Sequence, residues 1–252
     1  MRIHLKCPSC SESSGDDAAV QLEVRNDGVY SVVCDQGHHS RIGLRSLPFE
    51  LLFEFGVLAL IDGYWREAVA SSATALERCH EFASRTLLRH RAIPDSEIGM
   101  AWKQVAKQSE RQLGMFIGLY LAERSQLPPL VTQELVAFRN KVVHSGHFPT
   151  AVEAEEYLRA VYSQMVRIIG ELVGAMPEAV IAEAKSHGNV FYDWPAPTAA
   201  TEFNIGVSTF LTFSLAVATE EIAAWASLTT DAMFEPRLRE WRDRRDSLFV
   251  RP

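Results

Sequence analysis

The chain has 252 residues, 47% of them hydrophobic, and a formal net charge of -7. That apolar content supports one or two packed domains and argues against disorder. The acidic balance excludes broad electrostatic adhesion to nucleic acid or anionic membrane, so any contact with a phosphate chain has to be focal.

The N-terminal "MRIHLKCPSC" lacks the apolar core of a signal peptide, and no apolar run approaches the roughly 18 residues of a membrane span. The most apolar piece, "STFLTFSLAVATEEIAAW", is broken by Ser, Thr and two glutamates. A cytoplasmic protein is expected. Three of the four cysteines cluster near the N-terminus beside histidines, a pattern suited to metal rather than to disulfides.

Residues 1–46 read as a zinc ribbon. Cys7 and Cys10 sit on one tight knuckle, and Cys34 sits with a histidine of "CDQGHH" on a second. Between them, "VQLEVRNDGVYSVVC" alternates in hydrophobicity on both sides of Asn26-Asp27-Gly28, which predicts a hairpin over that turn. His38 is preferred to His39 as fourth ligand, because Gly37 before it can make the tight turn. The competing reading is a small hairpin whose cysteines are merely buried. With all four positions filled by protein, a structural zinc is expected rather than a catalytic one.

Residues 47–187 read as an antiparallel bundle of four or five helices. From Phe49 to about Arg91 apolar residues recur at three-to-four spacing, with a break or bend near "DGYW" where Gly63 weakens the run. A second block runs from about Ser96 to Glu123, and "SQLPPL" interrupts it. The next helix ends at His144 or Ser145, with Gly146 as its left-handed terminus and Pro149 blocking continuation. "TAVE" then forms a capping box, Thr150 with Glu153, opening a helix to about Met176.

The extension 188–252 is mixed. Its aromatic and Pro-rich start accommodates a short strand, a helix is expected over "SLAVATEEIAAWASL", and "EPRLREWRDRRDSLFVRP" carries six Arg against four acids around Trp241. That last piece reads as a surface helix laced by exposed ion pairs, or else as an edge facing RNA or a partner.

Asn140 and His144 are four apart on one helix and so share a side, and Arg139 can lean back over it. Histidine is suited to proton transfer near neutral pH. RNA cleavage without a metal needs a base for the 2'-hydroxyl, an acid for the departing 5'-oxygen and a cation for the phosphorane. One Arg and one His supply half of that, and a twofold dimer supplies the rest. The competing reading is an ordinary charged helix end.

"RNKVVH" within a helical bundle resembles the HEPN family (higher eukaryotes and prokaryotes nucleotide-binding), whose signature is an Arg, four to six residues, then a His, often with a polar residue such as Asn directly after the Arg. The run "LLFEFGVLALIDGYWREAVASSATALERCHEF" is similar to the family's first helices, and the resemblance covers about residues 49–180. It implies a dimeric, metal-independent endoribonuclease of the kind found in toxin-antitoxin and phage-defence systems, acting on RNA with an antitoxin or defence protein as partner. It places Arg139, Asn140 and His144 at the catalytic positions and adds Glu77, since members often carry an acid near the Arg-His pair. Glu77 also has the plainer reading of a surface carboxylate. His147 reads as a loop residue, Cys79 as core and His80 as surface. Two other functions compete: a non-catalytic dimerisation scaffold that binds nucleic acid or protein through the ribbon, and a bundle that binds a nucleotide or a nucleotidyltransferase partner.

Overall fold

A computed structural model describes residues 2–7, 9–10, 19–188, 201–205 and 209–249. The fold is mainly helical, with small sheets formed by its N-terminal strands and one late strand. Strands β1 (Arg2–Lys6) and β2 (Ala19–Glu23) pair antiparallel, Arg2 opposite Glu23. Strands β3 (Val29–Val33) and β4 (His39–Leu44) form a second antiparallel pair, Val29 opposite Gly43.

The turn at Asn26-Asp27-Gly28 forms, with Gly28 at φ 61° and its N–H donating to the Arg25 carbonyl at 3.2 Å. It does not make the expected hairpin, because β2 and β3 belong to different sheets. The turn closes on itself instead. Asp27 accepts the Val29 N–H at 3.3 Å, and the Arg25 guanidinium lies over the Tyr30 ring and donates to the Val29 carbonyl. Each flanking strand takes the neighbour that carries a cysteine knuckle.

The helical body comprises α1 (Pro48–Ile61), α2 (Trp65–His90), α3 (Asp95–Val105), α4 (Ser109–Arg124), α5 (Gln133–His144), α6 (Ala151–Ala175) and α7 (Pro177–Gly188). Pro48 opens α1 at a position where its missing N–H costs nothing, and the Glu50 carboxylate reaches back to the Leu47 N–H at 3.1 Å. Gly63, at φ 80°, separates α1 from α2, which lies at the centre and packs against α1, α4, α5, α6 and α7. The α1–α2 approach is so close at Gly56 that a Cβ there would stand 2.4 Å from Ser72 Oγ. Gly146, at φ 70°, ends α5, and the N–H groups of Ser145 and His147 both donate to the Lys141 carbonyl. The Thr150–Glu153 capping box starts α6 as the sequence predicts.

Past residue 200 the chain returns to both earlier parts. Strand β5 (Thr201–Ile205) runs parallel to β4, Ser40 opposite Thr201, so the whole bundle acts as the crossover that a parallel pair requires. The helix expected over residues 214–228 is two short ones, α8 (Phe213–Ala218) and α9 (Ile222–Leu228), because Glu220 adopts φ 61° between them. Helix α10 (Phe234–Phe249) is not simply a surface helix. Phe234, Leu238 and Trp241 recur at four and three residues and enter the main core, while Arg242 and Arg245 pair outward with Glu155 and Asp62. The aromatic and Pro-rich stretch 189–200 lies outside the described residues.

Two glutamates on α1 fasten this return. Glu50 accepts from the backbone N–H and hydroxyl of Ser214 and from Thr209 Oγ1; Glu54 accepts from the Phe210 N–H at 2.8 Å and Trp241 Nε1 at 2.6 Å. Both are buried, and burial raises both carboxyls, Glu54 to about 7. No helix of the described residues is long and apolar enough to cross a membrane.

Candidate functional site

Two constellations bring together side chains capable of chemistry. The first joins the two knuckles. β1 delivers Cys7 and Cys10, and the β3–β4 turn delivers Cys34 and His38, with Gly37 at φ 80° and its N–H donating to the Cys34 carbonyl at 2.8 Å. The four ligand atoms lie within 4.8 Å of one another, and the cluster could hold a metal ion. Cys10 Sγ stands 3.8 Å from Cys34 Sγ, and Cys34 Sγ stands 3.6 Å from His38 Nδ1. A tetrahedral ion with metal–sulfur bonds of about 2.3 Å would space its sulfurs by about 3.8 Å, so these positions need little adjustment. His38, not the exposed His39, is the histidine of the cluster.

Crowding makes the thiols unequal. Burial and its sulfur neighbours push the Cys10 thiol up, while for Cys34 burial is outweighed by hydrogen bonds from the His38 and Gln36 backbone, which bring it down. All three cysteines are buried, and their packing with Val20, Leu22, Tyr30, Ile42 and Leu44 extends to Phe55 of α1. Cys79 is core, as expected, and far too buried to be reactive.

The second constellation lies where α2, α4, α5 and α6 leave a pocket of about 170 Å³. Arg139 is held at its wall: Nη2 donates to Glu77 Oε1 at 2.6 Å and Nη1 to Asn140 Oδ1 at 2.9 Å. The structure thus brings Glu77, Arg139 and Asn140 together. His144 is not part of the pocket wall; it is exposed in the last turn of α5, about 6 Å along the axis from Asn140. Its side chain makes no hydrogen bond or ion pair among the described residues. His147 is an exposed loop residue set edge-on to Phe138.

His80 is a correction: it is buried, not on the surface, with its ring stacked 4.8 Å from Phe116. Burial drives its pKa down to about 3, so it is neutral. Three groups of the pocket went unpredicted: His80, Tyr157 and Gln164. Glu77 and His80 are three apart on α2, and Tyr157 and Gln164 seven apart on α6, so helical spacing alone places each pair on one face. Tyr157 is buried beside Arg139 and Glu77, and burial raises its hydroxyl. Comparison of the chain with protein-family models, with curated proteins and with solved structures finds no match to any of them.

Proposed function

We propose that the chain is a metal-independent endoribonuclease whose site is shared between two copies. The observation that carries this reading is Arg139, held by Glu77 and Asn140 at a pocket wall while His144 stands free one turn further on. Each copy offers one guanidinium and one imidazole. A twofold axis passing the end of α5 doubles both around a single phosphodiester.

One neutral His144 takes the 2'-hydroxyl proton as the 2'-oxygen bonds to phosphorus. The partner's protonated His144 gives its proton to the 5'-oxygen as the P–O5' bond breaks. The two Arg139 guanidiniums stabilise the phosphorane oxygens, with Glu77 and Asn140 fixing their orientation. The products are a 2',3'-cyclic phosphate and a 5'-hydroxyl. Phe148, 83% exposed, and Val152, 66% exposed, lie just beyond His144 and are apolar side chains that a second copy would cover.

The metal we assign to Cys7, Cys10, Cys34 and His38 is zinc, since three sulfurs and one imidazole at tetrahedral spacing suit it and leave no open position. Its role there is structural. The setting implied by the HEPN resemblance, a toxin or phage-defence system with a cognate protein partner, belongs to the same proposal.

The test is cleavage of single-stranded RNA in the presence of chelator. The wild type is expected to leave a 2',3'-cyclic phosphate, and His144→Ala to lose cleavage at an unchanged melting temperature. Equal cutting by both proteins contradicts the proposal. One observation favours a scaffold instead: the charge of Arg139 is already met by Glu77. That reading requires RNA or protein binding without cutting, surviving in His144→Ala and lost when Cys7 and Cys10 become Ser.

A further inference from the structure

We infer that the pocket beside Arg139 is a nucleobase pocket, which selects the base next to the phosphate to be cut. The inference rests on the ribonuclease reading for the class of its ligand, and on the pocket for everything else.

The walls are apolar: Ala73 and Leu76 of α2, Leu113 of α4, and Val131 and Val136 around the start of α5. The volume of about 170 Å³ suits a single planar ring system; an apolar cavity of about 150 Å³ holds benzene. Beneath lies a polar floor whose proton positions follow from its hydrogen bonds. The Val131 N–H donates to Gln164 Oε1 at 2.9 Å, which fixes the amide orientation. The Gln164 amide nitrogen therefore faces His80 Nε2, 3.1 Å away, and donates to it. His80 is neutral, so its proton is on Nδ1. That N–H has no partner among the described residues, on a side chain 94% buried by its 6% exposure, in the lining of the pocket.

The rim has the opposite polarity. Glu110 brings an exposed carboxylate, and Arg139, paired with Glu77, is the one cation of the lining. A phosphate is repelled at Glu110 and finds its donor at Arg139, which is already anchored by Glu77 and Asn140. A nucleobase meets all three conditions: it is planar and uncharged, its ring nitrogens and carbonyls accept from His80 Nδ1–H, and its exocyclic N–H groups donate to carboxylates. Its attached phosphate then falls at the guanidinium. Tyr157, whose hydroxyl has no hydrogen-bond partner among the described residues, adds an aromatic wall that is buried next to Arg139.

The experiment measures binding of the four nucleoside monophosphates to the full chain by calorimetry. At least one is expected to bind saturably, and Leu113→Trp, which fills the pocket from the α4 side, is expected to weaken it tenfold or more. Leu130→Trp, at a rim position that is exposed, closes the mouth without entering the core and is expected to weaken it likewise. The absence of binding to the wild type, or equal binding by wild type and Leu130→Trp, overturns the inference. Binding that behaves as expected in a protein that never cuts RNA leaves the pocket standing and removes only the ribonuclease reading.

Discussion

The ribbon and the bundle are held together by different physics. Around its cysteine–histidine cluster the ribbon gathers nine buried side chains among the described residues, three of them the cysteines themselves and one, Phe55, borrowed from α1. The bundle has a continuous core that runs from Leu47 to Trp241 and includes the aromatic group Phe53, Tyr162, Phe210 and Phe234. A unit with so little apolar burial needs a staple, whereas one with such a core can hold strained or charged groups for other purposes. Each part is therefore expected to fail differently: the ribbon by losing its cysteines and histidine, the bundle chiefly by losing volume.

The largest effect should come from breaking the staple. Replacing Cys7 and Cys10 by Ser removes half of the ligand set, and structural zinc sites contribute on the order of 10 kcal/mol to their folds. Metal analysis should fall from about one zinc per chain to none, and hydrogen exchange should accelerate across 19–44 while α2 and α6 stay protected. Loss of protection in α6 as well would erase the distinction between the two regions.

Next is a hole in the bundle. Phe53 is fully buried, with its ring 5.6 Å from that of Phe210. Phe53→Ala should lower unfolding free energy by about 3 to 5 kcal/mol in denaturant titration and leave the zinc content intact.

Two buried carboxylates in the bundle then give opposite pH signatures. Burial works to raise Glu183, but His187 and Arg85, with Arg89 on its second oxygen, outweigh it and hold it at about 2. Its folded pKa lies below the unfolded 4.5, so its contribution is full above about 4.5 and disappears as pH falls through about 2. Glu54 accepts hydrogen bonds from Trp241 Nε1 and the Phe210 N–H, and burial raises it to about 7 against these donors and the charge of Arg244. Its contribution is full below the unfolded 4.5 and disappears as pH rises through about 7. Denaturation curves should therefore lose part of their slope between pH 4.5 and 7 in Glu54→Gln, the raised Glu50 keeping the rest, and lose part of their acid limb in Glu183→Gln. Each effect is on the order of 3 kcal/mol across its window. Unchanged profiles would contradict the assignment.

The smallest effect is expected at the surface. Arg242 pairs with Glu155 in the open, and Arg242→Ala should shift stability by less than about 1 kcal/mol.

Local features of the sequence proved readable and distant ones did not. The cysteine and histidine spacing, Gly63, Gly146 and the Thr150–Glu153 box each act within a few residues, so the pattern and its physical cause lie in one window. The pairing of β4 with β5 spans some 160 residues and has no local signal. Glu50 and Glu54 look like exposed acids of an amphipathic helix until the donors at 209–214 and Trp241 reach them. His80 reads as a surface residue because one polar residue on a core face cannot be told from a surface residue without its partner, Gln164, 84 positions away. At the candidate site, the Arg139–Asn140–His144 spacing was visible in the helix, but Tyr157 and Gln164 come from another helix and only the fold brings them there.

A catalytic site shared by two copies predicts a definite outcome when subunits are mixed. Wild-type protein is mixed with an equal amount of His144→Ala and allowed to exchange, and RNA cleavage is measured against wild type alone. If every mixed dimer lacks one of its two histidines, only about a quarter of the dimers keep both and activity falls to about one quarter. Activity that falls only to one half, in proportion to the wild-type chains present, would mean that each copy acts alone and would contradict the account.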